Sequence, residues 1–177
     1  MSESRRRSRT FALAWLIAGL QLMAACALPP PRAAQDAARP PIELQLADPR
    51  GQPLSLARFA GRPLLIFLFS TSDTGSQLAL THIEHWLLRR HSMDVLGIAL
   101  QPDAKLFLTP YRDALSVSFP LSYDPQDVIL SGHSDLGRVE AVPALIVLDA
   151  QGSERGRRYG VLDEAELQSF VAAALRR

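Results

Sequence analysis

Cysteine and lysine are almost missing from this sequence. Its 177 residues hold one cysteine, Cys26, and one lysine, Lys105. A single cysteine excludes an internal disulfide, a C-x-x-C redox pair and a cysteine-rich zinc cluster. No G-x-S-x-G turn occurs, which removes the nucleophile elbow of a serine hydrolase. No glycine-rich phosphate loop follows an apolar run, and Gly132 and Gly137 do not make one. The formal charge is +1, so there is no general electrostatic case for nucleic acid as a partner. What is present matches a folded domain: 47% of residues are hydrophobic and 21% charged, over a length that suits one domain.

The N-terminus reads as an address. Arg5, Arg6, Arg7 and Arg9 form a basic start, and Phe11 to Ala25 is an apolar run whose only polar side chain is Gln21. This is the plan of a secretory signal, and the run falls short of the ~20 residues that a spanning helix needs. Met23-Ala24-Ala25-Cys26 resembles the lipobox of bacterial lipoproteins, in which the cysteine is lipidated and becomes the first mature residue. The expectation is a signal peptide over 1–25 and lipid attachment at Cys26, placing the protein in the bacterial cell envelope, held to the bilayer and facing the periplasm. Without residues 1–25, which carry four arginines and Glu3, 15 basic and 17 acidic residues remain. The slight basicity therefore belongs to the export segment. Residues 26–40 are rich in proline and alanine and cannot bury a core, so they read as a tether. The folded domain is expected over 41–177.

That domain alternates strand and helix signals. Ile42 to Leu46 alternates apolar with polar, Asp48-Pro49-Arg50-Gly51 is a turn signature, and Leu64 to Phe69 is an unbroken apolar run of strand length. Ser70 to Gln77 is a polar loop dense in capping residues, ahead of a helix expected from Leu78 to Arg90. Asp94 to Leu100 reads as a second buried strand, Leu106 to Leu115 as a helix interrupted near Pro110, and Ser118 to Leu121 as a short extended piece. Val142 to Asp149 is a strong strand that pairs through a turn with Arg155 to Tyr159. Asp163 caps a last helix whose buried stripe is Leu167, Phe170, Val171 and Leu175. The order argues for an α/β sandwich, a central mixed β-sheet flanked by helices.

Four stretches resemble the thioredoxin-like superfamily, in particular its TlpA/ResA-type redoxins and the related AhpC/TSA peroxiredoxins. Leu44 to Gly61 resembles the entry hairpin, and Pro63 to Ser76 the central strand running into the active-site loop. Ser116 to Pro125 resembles the inserted helix–strand segment, and Val142 to Gly152 the cis-proline loop with its following strand. The resemblance implies a cis peptide before Pro143. It also implies a groove in which Val142 presents its backbone to an extended peptide, with Thr74 and Gly75 beside it.

The departure from that family carries the functional reading. Its C-x-x-C sits at a helix N-terminus, where the dipole stabilises a thiolate and a second thiol resolves the mixed disulfide. Aligning the strand ends puts Asp73 and Ser76 at the two cysteine positions, and neither can exchange a disulfide. Asp73 and its neighbours are also simple helix caps. The expected function is therefore a membrane-anchored lipoprotein whose redox-inactive domain binds or scaffolds an envelope protein, with no cofactor and no assigned catalytic residue. The alternatives are a copper-binding chaperone or non-thiol enzyme, using Asp73 with His133 or the pair His82 and His85, and an oxidoreductase homologue that has lost activity.

Overall fold

A computed structural model of the chain describes residues 40–89 and 93–176, all within one compact unit, Arg39–Arg177. The expected signal peptide, the lipidated Cys26 and residues 26–39 of the tether lie outside the described residues. Among those described, no helix is long and apolar enough to cross a membrane.

Among the described residues seven strands form one mixed sheet in the order β2-β1-β5-β4-β3-β6-β7. The strands are β1 (Leu46–Ala47), β2 (Pro53–Leu54), β3 (Leu64–Phe69), β4 (Asp94–Ala99), β5 (Leu121–Tyr123), β6 (Ala144–Leu148) and β7 (Glu154–Tyr159). β3, β4 and β5 run parallel, while β6 is antiparallel to both β3 and β7. The C-terminal ends of β3, β4, β5 and β7 thus meet the N-terminal end of β6 at one edge of the sheet.

β3 is apolar at every position because both of its faces are covered. Leu65, Phe67 and Phe69 point to a layer built by α1 (Thr74–Leu87), α2 (Ala104–Leu115) and α3 (Glu164–Leu175). Leu64, Ile66 and Leu68 point to a second cluster with Ile42, Leu44, Leu54, Phe59, Ile129 and Leu136. The sandwich is the one expected, with α1, α2 and α3 gathered on one face. The other face is covered by the entry segment and the long β5–β6 connection. Gly97 is what lets the helical face close: a Cβ there would come 2.5 Å from the Leu121 side chain and 3.2 Å from Phe69 and Phe119.

Several elements differ from the sequence reading; the short extended piece expected at Ser118 to Leu121, for one, is β5 at Leu121–Tyr123. The first helix starts at Thr74 rather than Leu78, because Asp73 caps it from the middle of the polar loop. α2 runs through Pro110 without a break. Proline removes one donor to the carbonyl four residues back, here Leu106, and both residues are exposed, so water can serve that carbonyl. Residues 42–45 keep the expected alternation of burial but pair with no strand until Leu46. In α3, Leu175 is exposed at 41%, and Ala174 completes the buried stripe with Leu167 and Val171. The Asp163 cap holds as read: its Oδ1 accepts from the Ala165 and Glu166 N–H groups, and Glu166 reaches back to the Asp163 N–H.

Candidate functional site

The loop from Ser70 to Asp73 leaves the C-terminal end of β3 and turns directly into α1. Asp73 Oδ2 accepts the Ser76 N–H at 2.6 Å and the Ser76 hydroxyl at 2.7 Å. The Ser76 oxygen in turn accepts the Ser70 N–H at 3.2 Å. Ser76 is wholly buried, so this one hydroxyl ties the end of β3 to the first turn of α1. The bonds from the Ser76 hydroxyl and then the Ser76 N–H hold the Asp73 carboxyl below its usual 3.8, against a smaller opposing effect of burial. Asp73 is therefore an anion at neutral pH, at the positive end of a helix that favours one.

A second polar tether comes from Gln101, just past β4. Its side-chain oxygen accepts from the Thr71 N–H at 2.6 Å, the Thr71 hydroxyl at 3.0 Å and the Ser70 hydroxyl at 3.0 Å. Gln77 in α1 closes the far side by donating to the Thr71 carbonyl at 3.3 Å. The loop is a cross-linked hydrogen-bond network rather than a free connection.

Below it lies Tyr111 of α2, stacked on Phe69 with ring centres 5.4 Å apart. Its hydroxyl is buried and, among the described residues, has no hydrogen-bond partner. Burial pushes that hydroxyl up to about 12, and the negative charge of Asp73 adds to the effect. Sequence reading missed both Tyr111 and Gln101. Gln101 was detectable in principle, since a polar residue just after one buried parallel strand sits beside the loop that leaves its neighbour. Tyr111 gave only the ordinary signal of an apolar helix stripe.

Facing the loop, the Val142–Pro143 peptide is cis. The Pro143 carbonyl accepts the Gly160 N–H at 2.8 Å, which fixes the start of β6 against the end of β7. Among the described residues, neither the N–H nor the carbonyl of Val142 has a hydrogen-bond partner. Gly75 stands between the two loops: a Cβ there would lie 3.3 Å from Asp73 Oδ2, 3.5 Å from Pro143 and 3.7 Å from Val161. The fold thus brings Asp73, Gly75, Ser76 and Pro143 together, with Thr74 exposed beside them. Arg157 of β7 steadies the chain leading into this place. Its Nη2 donates to the Leu136 carbonyl at 2.7 Å, its Nη1 to the Arg138 carbonyl at 3.3 Å, and its fork engages Glu154.

The histidines go elsewhere. His82 Nδ1 lies 2.8 Å from the Leu162 carbonyl, and His85 faces Glu164 at 3.6 Å. His133 is exposed, and no hydrogen bond or ion pair joins its side chain to the Asp73 loop. Among the described residues no group of three or more histidine, cysteine or acidic side chains could hold a metal ion. A larger groove of about 1050 Å³, between the entry segment and the β6–β7 turn, shares no residue with the Asp73 loop.

Chemically, the loop is suited to holding shape. The Ser76 hydroxyl donates to Asp73 and is sealed from solvent, so a substrate cannot reach it as a nucleophile. Asp73 is already ionised at neutral pH, which makes it a poor proton donor.

No protein-family model matches the chain, and no curated protein matches it in sequence. Solved structures do match in fold. A thioredoxin-family thiol:disulfide interchange protein from Chlorobium tepidum superposes with a TM-score of 0.60 at 21% identity, covering 78% of this chain and 98% of that one. A secreted Mycobacterium tuberculosis disulfide oxidoreductase homologous to E. coli DsbE gives 0.62 at 17% identity, covering 73% and 95%. StoA from Bacillus subtilis gives 0.57 at 12%, covering 73% and 96%. The domain therefore has the thioredoxin-like fold of thiol:disulfide interchange proteins, on a chain whose only cysteine is Cys26.

Proposed function

We propose that this protein is a lipid-anchored component of the bacterial envelope whose thioredoxin-like domain has exchanged thiol chemistry for binding. Asp73 and Ser76 stand at the two positions of the family's C-x-x-C, and their hydrogen bond replaces a redox-active pair with a permanent polar clasp. The observation that carries the reading is this clasp set beside the open backbone of Val142. An extended segment of a partner protein bonds its own backbone to the open N–H and carbonyl of Val142, in the manner of strand-like peptide recognition.

The surroundings suit an apolar segment. Exposed Leu78 lies in the first turns of α1, Leu106 and Phe107 open α2, and Tyr159 ends β7, all at the edge of the sheet that carries the loop. The basic start, apolar run and Met23-Ala24-Ala25-Cys26 sequence support export and lipid attachment, and one of the similar folds belongs to a secreted protein.

The test uses an unfolded polypeptide without thiols, reduced and carboxymethylated α-lactalbumin. The full chain should bind it, and Gly75→Leu, which plugs the space against Pro143 and Val161, should weaken binding about tenfold through the loss of roughly 1.4 kcal/mol. Absence of binding, or binding unchanged by the plug, would remove this reading.

A further inference from the structure

We infer that a second site, separate from the Asp73 loop, takes a phosphate-bearing anion. Three separate elements each bring one arginine to a single cleft of about 490 Å³. Arg50 comes from the β1–β2 turn, Arg58 from the 3-10 turn spanning Leu56–Phe59, and Arg112 from α2. Thr109, exposed on the same helix, adds a hydroxyl to the lining.

The charge in the cleft is left open. Among the described residues its only acidic lining residue is Asp48, and the Oδ1 of Asp48 already accepts the Arg50 and Gln52 N–H groups at 2.9 and 2.8 Å. Among the described residues neither Arg50 nor Arg58 has a carboxylate partner, and Arg112 reaches only its exposed neighbour Asp113 at 3.6 Å. Arg62, Arg89, Arg155 and Arg157, by contrast, each face a carboxylate. The one lysine lies outside the lining but packs beside the turn that carries Arg50. Lys105 Nζ lies against the β1–β2 turn, 2.9 Å from where a Cβ on Gly51 would sit, so the glycine makes room for it.

Guanidinium groups match phosphate oxygens with two parallel N–H bonds, which is why arginines converging from separate segments favour phosphate over a simple halide. The cleft volume lies within the range of small-molecule sites, enough for a headgroup as well as a free ion. The ligand is thus a phosphate group, supplied by free phosphate or by an anionic lipid of the membrane surface.

The experiment titrates the detergent-solubilised full chain with inorganic phosphate. Separately, it compares binding to phosphatidylglycerol-containing and pure phosphatidylcholine vesicles. The apolar N-terminal run contributes to both vesicle types, so the difference isolates charge. Saturable binding of phosphate assigns free phosphate as the source, and a preference for phosphatidylglycerol without it assigns the headgroup. Either effect should fall about tenfold or more in Arg50→Gln/Arg58→Gln, which removes two of the three guanidinium groups. Binding of neither probe, or a variant that keeps the parent's affinity or lipid preference, overturns the inference. The melting midpoint of the variant is measured alongside. Should the double variant fail to fold, the single Arg58→Gln change at an exposed residue carries the same test.

Discussion

The Ser76 hydroxyl donates to Asp73 Oδ2 across 2.7 Å while accepting the Ser70 N–H at 3.2 Å. One oxygen atom therefore links the end of a core strand, the cap of a helix and that helix's first turn. Ser76→Ala removes both bonds and leaves the Ser70 N–H unpaired in a part-buried place. The expected loss is about 1–3 kcal/mol of stability, read as a shift in the urea midpoint without a change in slope. A midpoint equal to the parent's would show that the clasp holds nothing.

The same clasp has a pH signature. Bonding to Ser76 lowers the folded-state pKa of Asp73 below its unfolded value of 3.8. Its contribution is therefore fully present above 3.8 and disappears as pH falls through the lower folded value. Asp73→Asn keeps a cap acceptor but no charge. Its melting temperature should lie below the parent's at neutral pH, and the gap should narrow only below pH 3.8. A gap constant into strong acid would mean that the carboxylate charge is not what Ser76 stabilises.

How the helical face closes is tested at Gly97. A methyl group there meets Leu121, Phe119 and Phe69 within 2.5–3.2 Å. Gly97→Ala should destabilise by about 1–3 kcal/mol through overpacking. A neutral or stabilising effect in thermal unfolding would show that these side chains move aside freely.

Arg157 is expected to position the chain that enters Pro143. Arg157→Lys keeps the charge but cannot reach Glu154 and the Leu136 and Arg138 carbonyls together. Amide exchange should speed up across 136–142 and stay unchanged in β3. Uniform acceleration across the domain would assign Arg157 to general stability instead.

Lipid attachment has its own check. The chain expressed in a bacterial host should incorporate labelled palmitate, and Cys26→Ala should abolish it. Incorporation that survives the substitution, or never occurs in the parent, removes the anchor from the account.

Much of this architecture was legible because burial and chain chemistry agree locally. The run Leu64 to Phe69 has no polar residue, and it became a strand with the same ends. Asp48 to Gly51 formed its turn, with Gly51 at φ 84°. Asp163 capped α3 as read. The misses fell where tertiary context decides. Nothing in Ser70 to Gln77 said which of several capping residues would take the N-cap, and Asp73 prevailed because Ser76 could bond it through both N–H and hydroxyl. The Gln101 tether depends on two strands lying side by side, a fact of topology that a local window does not contain. The open arginine cleft joins residues 50, 58 and 112 and was likewise invisible to local pattern.

The most direct test of the central claim is insulin-disulfide reduction by the full chain, followed by turbidity with dithiothreitol present. The parent should run at the uncatalysed rate. Asp73→Cys/Ser76→Cys should accelerate the reaction, since the proposed function puts those two residues at the positions of the fold's thiols. Catalysed turnover by the parent, or a folded double variant that stays inert, would contradict the account.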